Sequence, residues 1–578
     1  MANEVSKLEA IRHSLAHLLA AAVLKLWPDA KRTIGPAIEN GFYFDFEFSQ
    51  PITEADLPRI EKEMRKLLPT WDEFTGSELT AEEAKKEYPN NPYKHELIDE
   101  FTKEGQKVTF YKSGDYWDLC RGGHVKHMSA EVKADAFKLT KLAGAYWRGS
   151  EKNKMLTRIY GVAFETKDDL ETYLKMLEEA QKRDHKKLGA ELELFFFHET
   201  APGMPYWLPK GVLLMNELIS FWREEHAKRG YHEIASPILS KKALWETSGH
   251  WEHYQKDMFV CKTGEDETFG VKAMNCPNAM VVFGSTTRSY KDLPLRLSDT
   301  DVLHRYELSG TLNGLLRARS FRQDDSHNFI TEEMIGDEYL EILKIATLFY
   351  EIFKLPIKYR LGTRPESFMG DIETWNRAEA ELKKILESQK LDYFVKEGDG
   401  AFYGPKIDIL MQDSLGREWQ TGTIQLDFQQ PRRFGLEYTD RDGKKKTPIV
   451  VHRVIYGSLE RFIGLLIEHT AGHLPLWLAP EQVRILPISE KQAEYAKSVA
   501  EKMKEAGLRV VIDDSSETLG KRLRQAKLMK VPYMAVLGEK EIEANAITLE
   551  GRRESFKGVG LEEGINKLKE EIKNKVFF

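Results

Sequence analysis

The sequence predicts a multidomain protein of mixed α+β and α/β architecture. Three observations carry that reading. At 578 residues the chain exceeds what one hydrophobic core serves, and length alone suggests about three or four domains. Near its start, an apolar stripe at helical spacing is followed by a run of strict two-residue alternation. Beyond Pro480 the pattern changes to short strand–helix units, as in a small α/β domain with its own core.

The elements follow in order. Leu8, Ile11, Leu15, Leu18, Ala22 and Leu26 form one stripe of a first helix that Pro28 closes. His13 and His17 fall about 160° from that stripe, at roughly 100° per residue. Ala10, Ala20 and Ala21 share their face, which suits a pocket wall or bare solvent. After the Asn40-Gly41 turn, GFYFDFEF places Phe42, Phe44, Phe46 and Phe48 on one side of a half-buried strand. Further strands are expected near 108–112 and 156–164. Residues 168–190 read as one charged connector helix with a narrow stripe of Leu170, Tyr173, Leu174 and Leu177. From about 192 to 478, helices mix with Val/Ile/Phe-rich strands. The last segment runs VRILPI, a helix over 489–506, LRVVIDD, a basic helix and YMAVLG.

Composition narrows the function classes. Hydrophobic residues make up 41% and charged residues 31%, as in ordinary globular proteins. No run of about 18 apolar residues occurs, so no membrane span is expected. The N-terminus has neither a basic nor an apolar signal region. Three cysteines cannot build a disulfide framework, which points to a reducing cytoplasm. With a net charge of −7, any nucleic-acid partner must use a local basic patch.

Two short motifs carry chemistry. In HSLAH, His13 and His17 are four apart and share a helix face, as in a metalloprotease helix that lacks its glutamate. In DLCRGGHV, the Gly122-Gly123 bend can fold His124 back toward Cys120. Together the four have tetrahedral zinc stoichiometry. The residues leave open a joint site, with or without metal, and an ordinary helix beside a glycine turn. Cys276 has no cysteine or histidine close by and reads on its own as a buried thiol, as does Cys261 in FVC.

HSLAH and DLCRGGH, followed by AGAYWRG (143–149) and MLTRIYG (155–161), resemble the editing domain of bacterial-type threonyl-tRNA synthetases. The alanyl enzymes have a similar four-residue pattern. GMPYWLPKG (203–211), KAMNCPN (272–278), HRYELSGTLNGLLRARSFRQDDSHNF (304–329), FYGPKID (402–408), WQTGTIQLDF (419–428) and HRVIYGSLERFIG (452–464) resemble the family's catalytic core, in the right order. The resemblance covers essentially the whole chain. It implies an editing domain over 1–167, a linker helix over 168–191, a class II antiparallel-sheet core over 192–478 and an α/β anticodon-binding domain over 479–578. The ubiquitin-like N-terminal TGS domain common in the family is expected to be absent.

The same resemblance assigns roles. Arg305 would hold the ATP α-phosphate and the amino-acid carboxylate, a bridging task that suits a planar fork. Glu307 would accept from the adenine amino group, Arg317 would reach the γ-phosphate, and Phe321 and Arg461 would cover the two faces of adenine. Gln420, Thr423 and Gln425, read as alternating on one strand face, would contact nucleotide and substrate. Met274 and Ser458 join that site, and Gln323, Tyr403 and Lys406 join Arg305 and Arg461 in catalysis. Mg2+ is expected with ATP. Cys276, His327 and His452 are the family's zinc ligands, one zinc per subunit, and Asp325 would accept from the threonine hydroxyl. Editing would use His13, His17, Cys120 and His124, with Lys94, Tyr111 and Asp118 around them and no structural zinc.

Partners implied are ATP, L-threonine and tRNA(Thr), in a cytoplasmic homodimer with Pro237 of SPIL at the interface and no membrane attachment. Lys521, Arg522, Arg524, Lys527 and Lys530 form either a solvated face or a tRNA contact. Ser516 and Glu550 stand where an asparagine and an arginine are expected at the anticodon, and Glu541 is the remaining candidate there. A paralogue without chemistry would have lost Arg305, Arg461 or a zinc ligand, and a free-standing editing deacylase would lack the ATP motifs.

Overall fold

The computed structural model describes residues 6–103, 107–264 and 267–577. It divides into two compact units, residues 1–178 and 179–578. Among the described residues, the first unit holds a five-stranded antiparallel sheet built on Gly41–Glu47, Met155–Ala163 and Phe137–Tyr146. Helices Lys7–Leu26 and Leu57–Leu67 pack on it around Leu15, Leu19, Phe42, Phe44, Ile60 and Phe137. A second sheet joins Thr75–Leu79, Val108–Ser113 and Tyr116–Leu119.

Ser6 caps the first helix by accepting from the Glu9 amide. That helix is not two-faced. Nearly every side chain from Ser14 to Val23 is buried, so the histidine face lines protein interior and not solvent. The strand Gly41–Glu47 buries Phe42, Phe44 and Phe46 on one side as predicted. Its other side is also partly buried, because Asp45 takes a bidentate pair from Arg158 at 2.6 and 2.8 Å. Phe48 lies past the strand's end and meets Trp27 edge-on.

The charged connector is two helices, Lys167–Lys182 and His185–Glu191. Asp184 breaks it by capping the second helix through the Lys186 amide. Its hydroxyl-free carboxylate competes for backbone donors that a continuous helix would keep.

The second unit is centred on an eight-stranded sheet. The strand order is Tyr231–Glu233, Leu295–Asp299, Asp325–Ile330, Ile449–Val454, Glu418–Asp427, Lys406–Gln412, Ile357–Gly362 and Tyr393–Lys396. All neighbours are antiparallel except the two outermost pairs. Helices including Pro209–Ala227, Ile335–Ile352 and Leu459–Thr470 cover one face and form the largest core with it. The C-terminal sheet pairs Val483–Pro487 in parallel with Val510–Ile512 and Tyr533–Leu537, then adds two antiparallel strands. Helices Ala493–Glu505 and Leu561–Lys573 bury their apolar faces on it. Cys261 is exposed, contrary to the reading from its apolar neighbours. It sits on Val260–Lys262, the exposed edge of a small three-stranded sheet.

Candidate functional site: two clusters on separate scaffolds

The uncovered face of the eight-stranded sheet collects the predicted core residues by register. One row across four strands runs Lys406, Gln425, His452, His327, each directly opposite the next. The adjacent row begins Asp408, Thr423, Val454 and ends Asp325, Asp299. Side chains two apart on a strand share a face, so both rows point the same way. Gln420 breaks that period relative to Thr423. A β-bulge at Thr421 restores it, since Ile409 pairs with Gly422 while Leu410 pairs with Gln420. Gln420 Nε2 then reaches Asp408 at 2.8 Å and Thr423 Oγ1 at 3.2 Å. The strict alternation read for these three is therefore a bulged strand.

Over this floor lies a cavity of about 440 Å³. It is lined by Arg305, Glu307, Arg317, Phe321, Gln323 and Asp325 from the 304–329 segment. Met274, Tyr403, Gln420, Thr423, Gln425, Ser458 and Arg461 complete its predicted lining. The guanidiniums of Arg305, Arg317 and Arg461 reach its lining, a surrounding suited to a polyanion. Arg305 lies 5.2 Å from the Phe321 ring centroid. Arg317 pairs with Glu307 at 2.8 Å. Arg461 donates to the Leu316 carbonyl at 2.9 Å, and Ser458 Oγ accepts the Arg461 amide to start the helix Leu459–Thr470. Gln323 pairs with Ser458 as an isolated bridge, and Tyr403 donates to Gln425. Lys406 lies beside the cavity, held by Asp408 at 3.0 Å and Asp399 at 3.2 Å.

At one end, Cys276, His327 and His452 bring their donor atoms within 4.8 Å of one another. All three are buried. Cys276 begins the helix Cys276–Gly284, so no spacing along the chain announces the set. Burial pushes the Cys276 thiol well above its usual range and the His327 imidazole well below. His327 Nδ1 is buried with no protein partner. A thiol and two imidazoles around an orphaned ring nitrogen fit a borderline-soft cation such as zinc.

The sequence reading missed four supporting residues. Asp427 accepts from His452 Nε2 at 2.8 Å and from the Gln429 and Gln430 amides, which holds the ring. It lies two residues past Gln425, so the same strand period could have found it. Asp408 receives Gln420, Thr423, Arg360 and Lys406. Asp324 accepts the amides of Ile455, Tyr456 and Gly457 and so shapes the turn before Ser458. His250 is buried with Nε2 3.7 Å from Cys276 Sγ. Asp325, whose carboxyl burial raises to about 6, accepts weakly from Asn275 at 3.3 Å.

The first unit holds the second cluster. His13, His17, Cys120 and His124 bring donors within 4.8 Å of one another. Cys120 Sγ is 3.4 Å from both His13 Nε2 and His124 Nε2. Gly122 and Gly123 take φ of +94° and +89°, which folds His124 back under the strand end. Tyr111 rests on the His124 ring and closes over Gly122. Burial lowers His13, His17 and His124, the last to about 3, and raises the Cys120 thiol to about 11. The cluster is therefore neutral near pH 7. It opens on a cavity of about 590 Å³ that Lys94 and Asp118 also line.

Asp118 is the buried hub of that wall. It takes Lys94 Nζ at 2.8 Å, Arg32 Nε at 3.3 Å and the Tyr88 and Tyr116 hydroxyls. The two cations hold its carboxyl below the usual range despite burial. Asp118→Asn leaves buried Lys94 and half-buried Arg32 without their anion, and a loss of about 3–5 kcal/mol in the first unit's stability is expected by thermal or urea melting. For Asp118 and the imidazoles the pH trend has one sign. A depressed carboxyl contributes stability present above its unfolded value and lost as pH falls through its folded one. The depressed imidazoles also favour unfolding once pH drops below about 6.5, where the unfolded chain takes protons that the fold refuses. The first unit is expected to lose stability from pH 7 to 5, with buried His17 contributing to the loss. A His17→Gln variant should flatten that slope.

In the C-terminal domain, Arg522 is not part of an exposed basic face. It is buried and donates to the carbonyls of Asp513 and Pro487 at 2.7 and 2.9 Å. Lys527 pairs with Glu550 at 3.1 Å. Both Glu541 oxygens are engaged, by the Gly538 amide and the Thr548 hydroxyl.

Comparisons agree with this architecture. Residues 259–470 match the family model described as tRNA synthetase class II core domain (G, H, P, S and T). Residues 482–571 match the Anticodon binding domain, and 108–160 the Threonyl and Alanyl tRNA synthetase second additional domain. The threonine–tRNA ligase of Acetivibrio thermocellus is 50% identical over 570 residues, 98% of this chain and 89% of that protein. That of Clostridium tetani is 50% identical over 98% of this chain and 88% of its own length. A crystal structure titled as the RNA binding domain of threonyl-tRNA synthetase from Cryptosporidium parvum Iowa II is 42% identical with a TM-score of 0.65. It covers 67% of this chain and 98% of its own. A putative threonyl-tRNA synthetase from Aeropyrum pernix is 28% identical with a TM-score of 0.61, over 68% of this chain and 97% of its own. Identity at this level, spread across nearly the full length and both clusters, means that the chain belongs to the threonine–tRNA ligase family of class II aminoacyl-tRNA synthetases.

Proposed function

We propose that the protein activates L-threonine with ATP, transfers it to tRNA(Thr), and hydrolyses mischarged seryl-tRNA(Thr) at the first unit's cluster. The observation that carries the synthetic half is the sheet register, which puts Gln425, His452 and His327 in one row facing Cys276 beside a cavity lined by Arg305, Arg317 and Arg461. Arg305 spans the α-phosphate and the amino-acid carboxylate. Phe321 and Arg461 enclose adenine, Arg317 reaches the γ-phosphate, and Glu307 accepts from the adenine amino group. Mg2+ accompanies the nucleotide.

Cys276, His327 and His452 hold zinc, which supplies a Lewis-acid position for the amino and hydroxyl groups of threonine. Asp427 keeps His452 oriented, and Asp325 accepts from the substrate hydroxyl. Valine offers no hydroxyl to Asp325, and a site built for one rejects the analogue lacking it by roughly 10⁴–10⁵. Tyr403 steers Gln425, and Lys406 keeps Asp408 charged-paired beneath Gln420 and Thr423.

At the other cluster, neutral imidazoles of His13, His17 and His124 position a water against the ester carbonyl, and Lys94 stabilises the developing oxyanion. Tyr111, Cys120 and Asp118 shape that pocket. The domains run 1–167 for editing, 168–191 for the linker, 192–478 for the core and 479–578 for the anticodon. The location is cytoplasmic; among the described residues no helix is long and apolar enough to cross a membrane.

ATP–pyrophosphate exchange with threonine, serine and valine tests the reading. Threonine should support it strongly, serine more weakly and valine at background. Absence of threonine-dependent exchange overturns it. The enzyme is also proposed to be a homodimer, supported by Ile238 and Leu239 of SPIL, which are half exposed. Sedimentation at micromolar concentration should give twice the chain mass, and a monomer there removes the dimer.

Anticodon contact is proposed for the exposed Lys521 and Arg524 and for Glu541. Excising 481–578 is a poor test, because Phe577 packs on Phe353 and His469 of the core. Lys521→Ala with Arg524→Ala should raise the KM for tRNA several-fold and leave that for ATP unchanged. An unchanged KM for tRNA would exclude this face.

A further inference from the structure

The segment 184–191 has no part in the site described above, yet His185 at its start is almost fully buried. Its Nδ1 lies 2.7 Å from Glu468 Oε1, and its Nε2 lies 3.0 Å from the Leu315 amide. An amide nitrogen only donates, so Nε2 is the acceptor and Nδ1 carries the proton given to Glu468. With both nitrogens engaged, the His185 ring has no lone pair left for a metal.

What the histidine grips is the ATP loop. Leu315 and Leu316 form the tight turn Gly314–Leu316. The Leu316 carbonyl receives Arg461 Nε at 2.9 Å, and Arg317 follows at once. Glu468 and Arg461 sit two turns apart on the helix Leu459–Thr470. A closed circuit results: Glu468, His185, the loop, Arg461, and back along one helix face. Between them is Gly464, where a Cβ would meet Leu315 and Leu316 at 3.2 Å. On the loop side, a Cβ on Gly314 would fall 2.3 Å from His185 Nε2, at a φ of +52°. Both glycines let the loop lie directly on helix and ring. Arg417 and the His185 amide also donate to Glu468.

We infer that His185 is a positioning residue for ATP: it clamps the 313–317 loop so that Arg461 and Arg317 are set before nucleotide arrives. The inference rests on the ATP-binding role proposed for those arginines. Removing one preorganising hydrogen bond should raise the KM for ATP by about 3- to 10-fold and leave that for threonine unchanged.

Two replacements separate positioning from mere packing. A glutamine oxygen reaches about as far as Nε2 and can still accept from Leu315, whereas asparagine reaches only the Nδ1 position. In threonine-dependent exchange, His185→Asn is expected to raise the KM for ATP, and His185→Gln to stay within about twofold of the parent. Gly314→Ala, which pushes the loop off an intact histidine, should behave like His185→Asn. A parental KM for ATP in His185→Asn overturns the inference. So does an equal rise for ATP and threonine in both histidine variants with a common fall in Tm. Absence of exchange in the parent protein would instead strike the ATP reading itself.

Discussion

Cys276→Ser is expected to lose bound zinc and to lower threonine-dependent exchange by on the order of 10³-fold, several kcal/mol of transition-state binding. The thiol is buried, raised well above its ordinary range, and faces the imidazoles of His327 and His452, with that of His250 3.7 Å away. A thiolate there is tenable only opposite a metal. Serine places a harder, less acidic oxygen at the same point and breaks the ligand set without enlarging the cavity. Asp427→Asn should act more mildly, about 10- to 100-fold on metal affinity, because it loosens His452 without removing a ligand. Elemental analysis of the parent should give one zinc per chain, and the two variants should lose metal and activity in parallel. Full exchange by a verified zinc-free preparation would remove the metal from the reaction.

His13→Ala combined with His17→Ala is expected to slow clearance of preformed seryl-tRNA(Thr) by about 10²–10³-fold, with threonine activation intact. The need for clearance is physical. Serine carries the same amino and hydroxyl groups as threonine and lacks one methyl, a difference of about 1–3 kcal/mol, or roughly 10–200-fold. Some serine must pass the synthetic site, and a second pocket that excludes the extra methyl removes it. The three rings lie with centroids 4.6 to 5.1 Å apart, stacked, tilted and edge-on, and burial keeps the imidazoles neutral. No glutamate base is required because the bond is an activated ester. The assay compares decay of labelled seryl-tRNA with threonine exchange on the same preparations. Undiminished clearance would reduce the histidines to helix packing.

Much of the molecule is legible in sequence because it is local. HSLAH must share a helix face, GFYFDFEF must alternate, and Gly122-Gly123 must permit a reversal; each follows from backbone geometry within a few residues. The family motifs supply the identity of the core residues in order along the chain. Local patterns also misled. The first helix leaves its histidine face open between pocket wall and solvent, and burial of Ser14 to Val23 makes it a pocket wall. The connector reads as one helix and breaks where Asp184 takes the backbone donors. The basic helix reads as one charged face, although Arg522 turns inward.

The sequence by itself determined the class of fold, the family and the residue types of both clusters. Only tertiary structure decided what those residues do to one another. His327 and His452 become opposite partners through strand register, and Cys276 joins them from a helix end in another part of the chain. Gln420 reaches the substrate face through a bulge that no periodicity encodes. Asp118 matters through Arg32, 86 positions away, Asp427 through His452, 25 away, and His185 through Glu468, 283 away. The physical reason is common to all. A polar group gains its role when burial removes water and leaves it a few specific partners, and the fold, not the neighbouring sequence, chooses them.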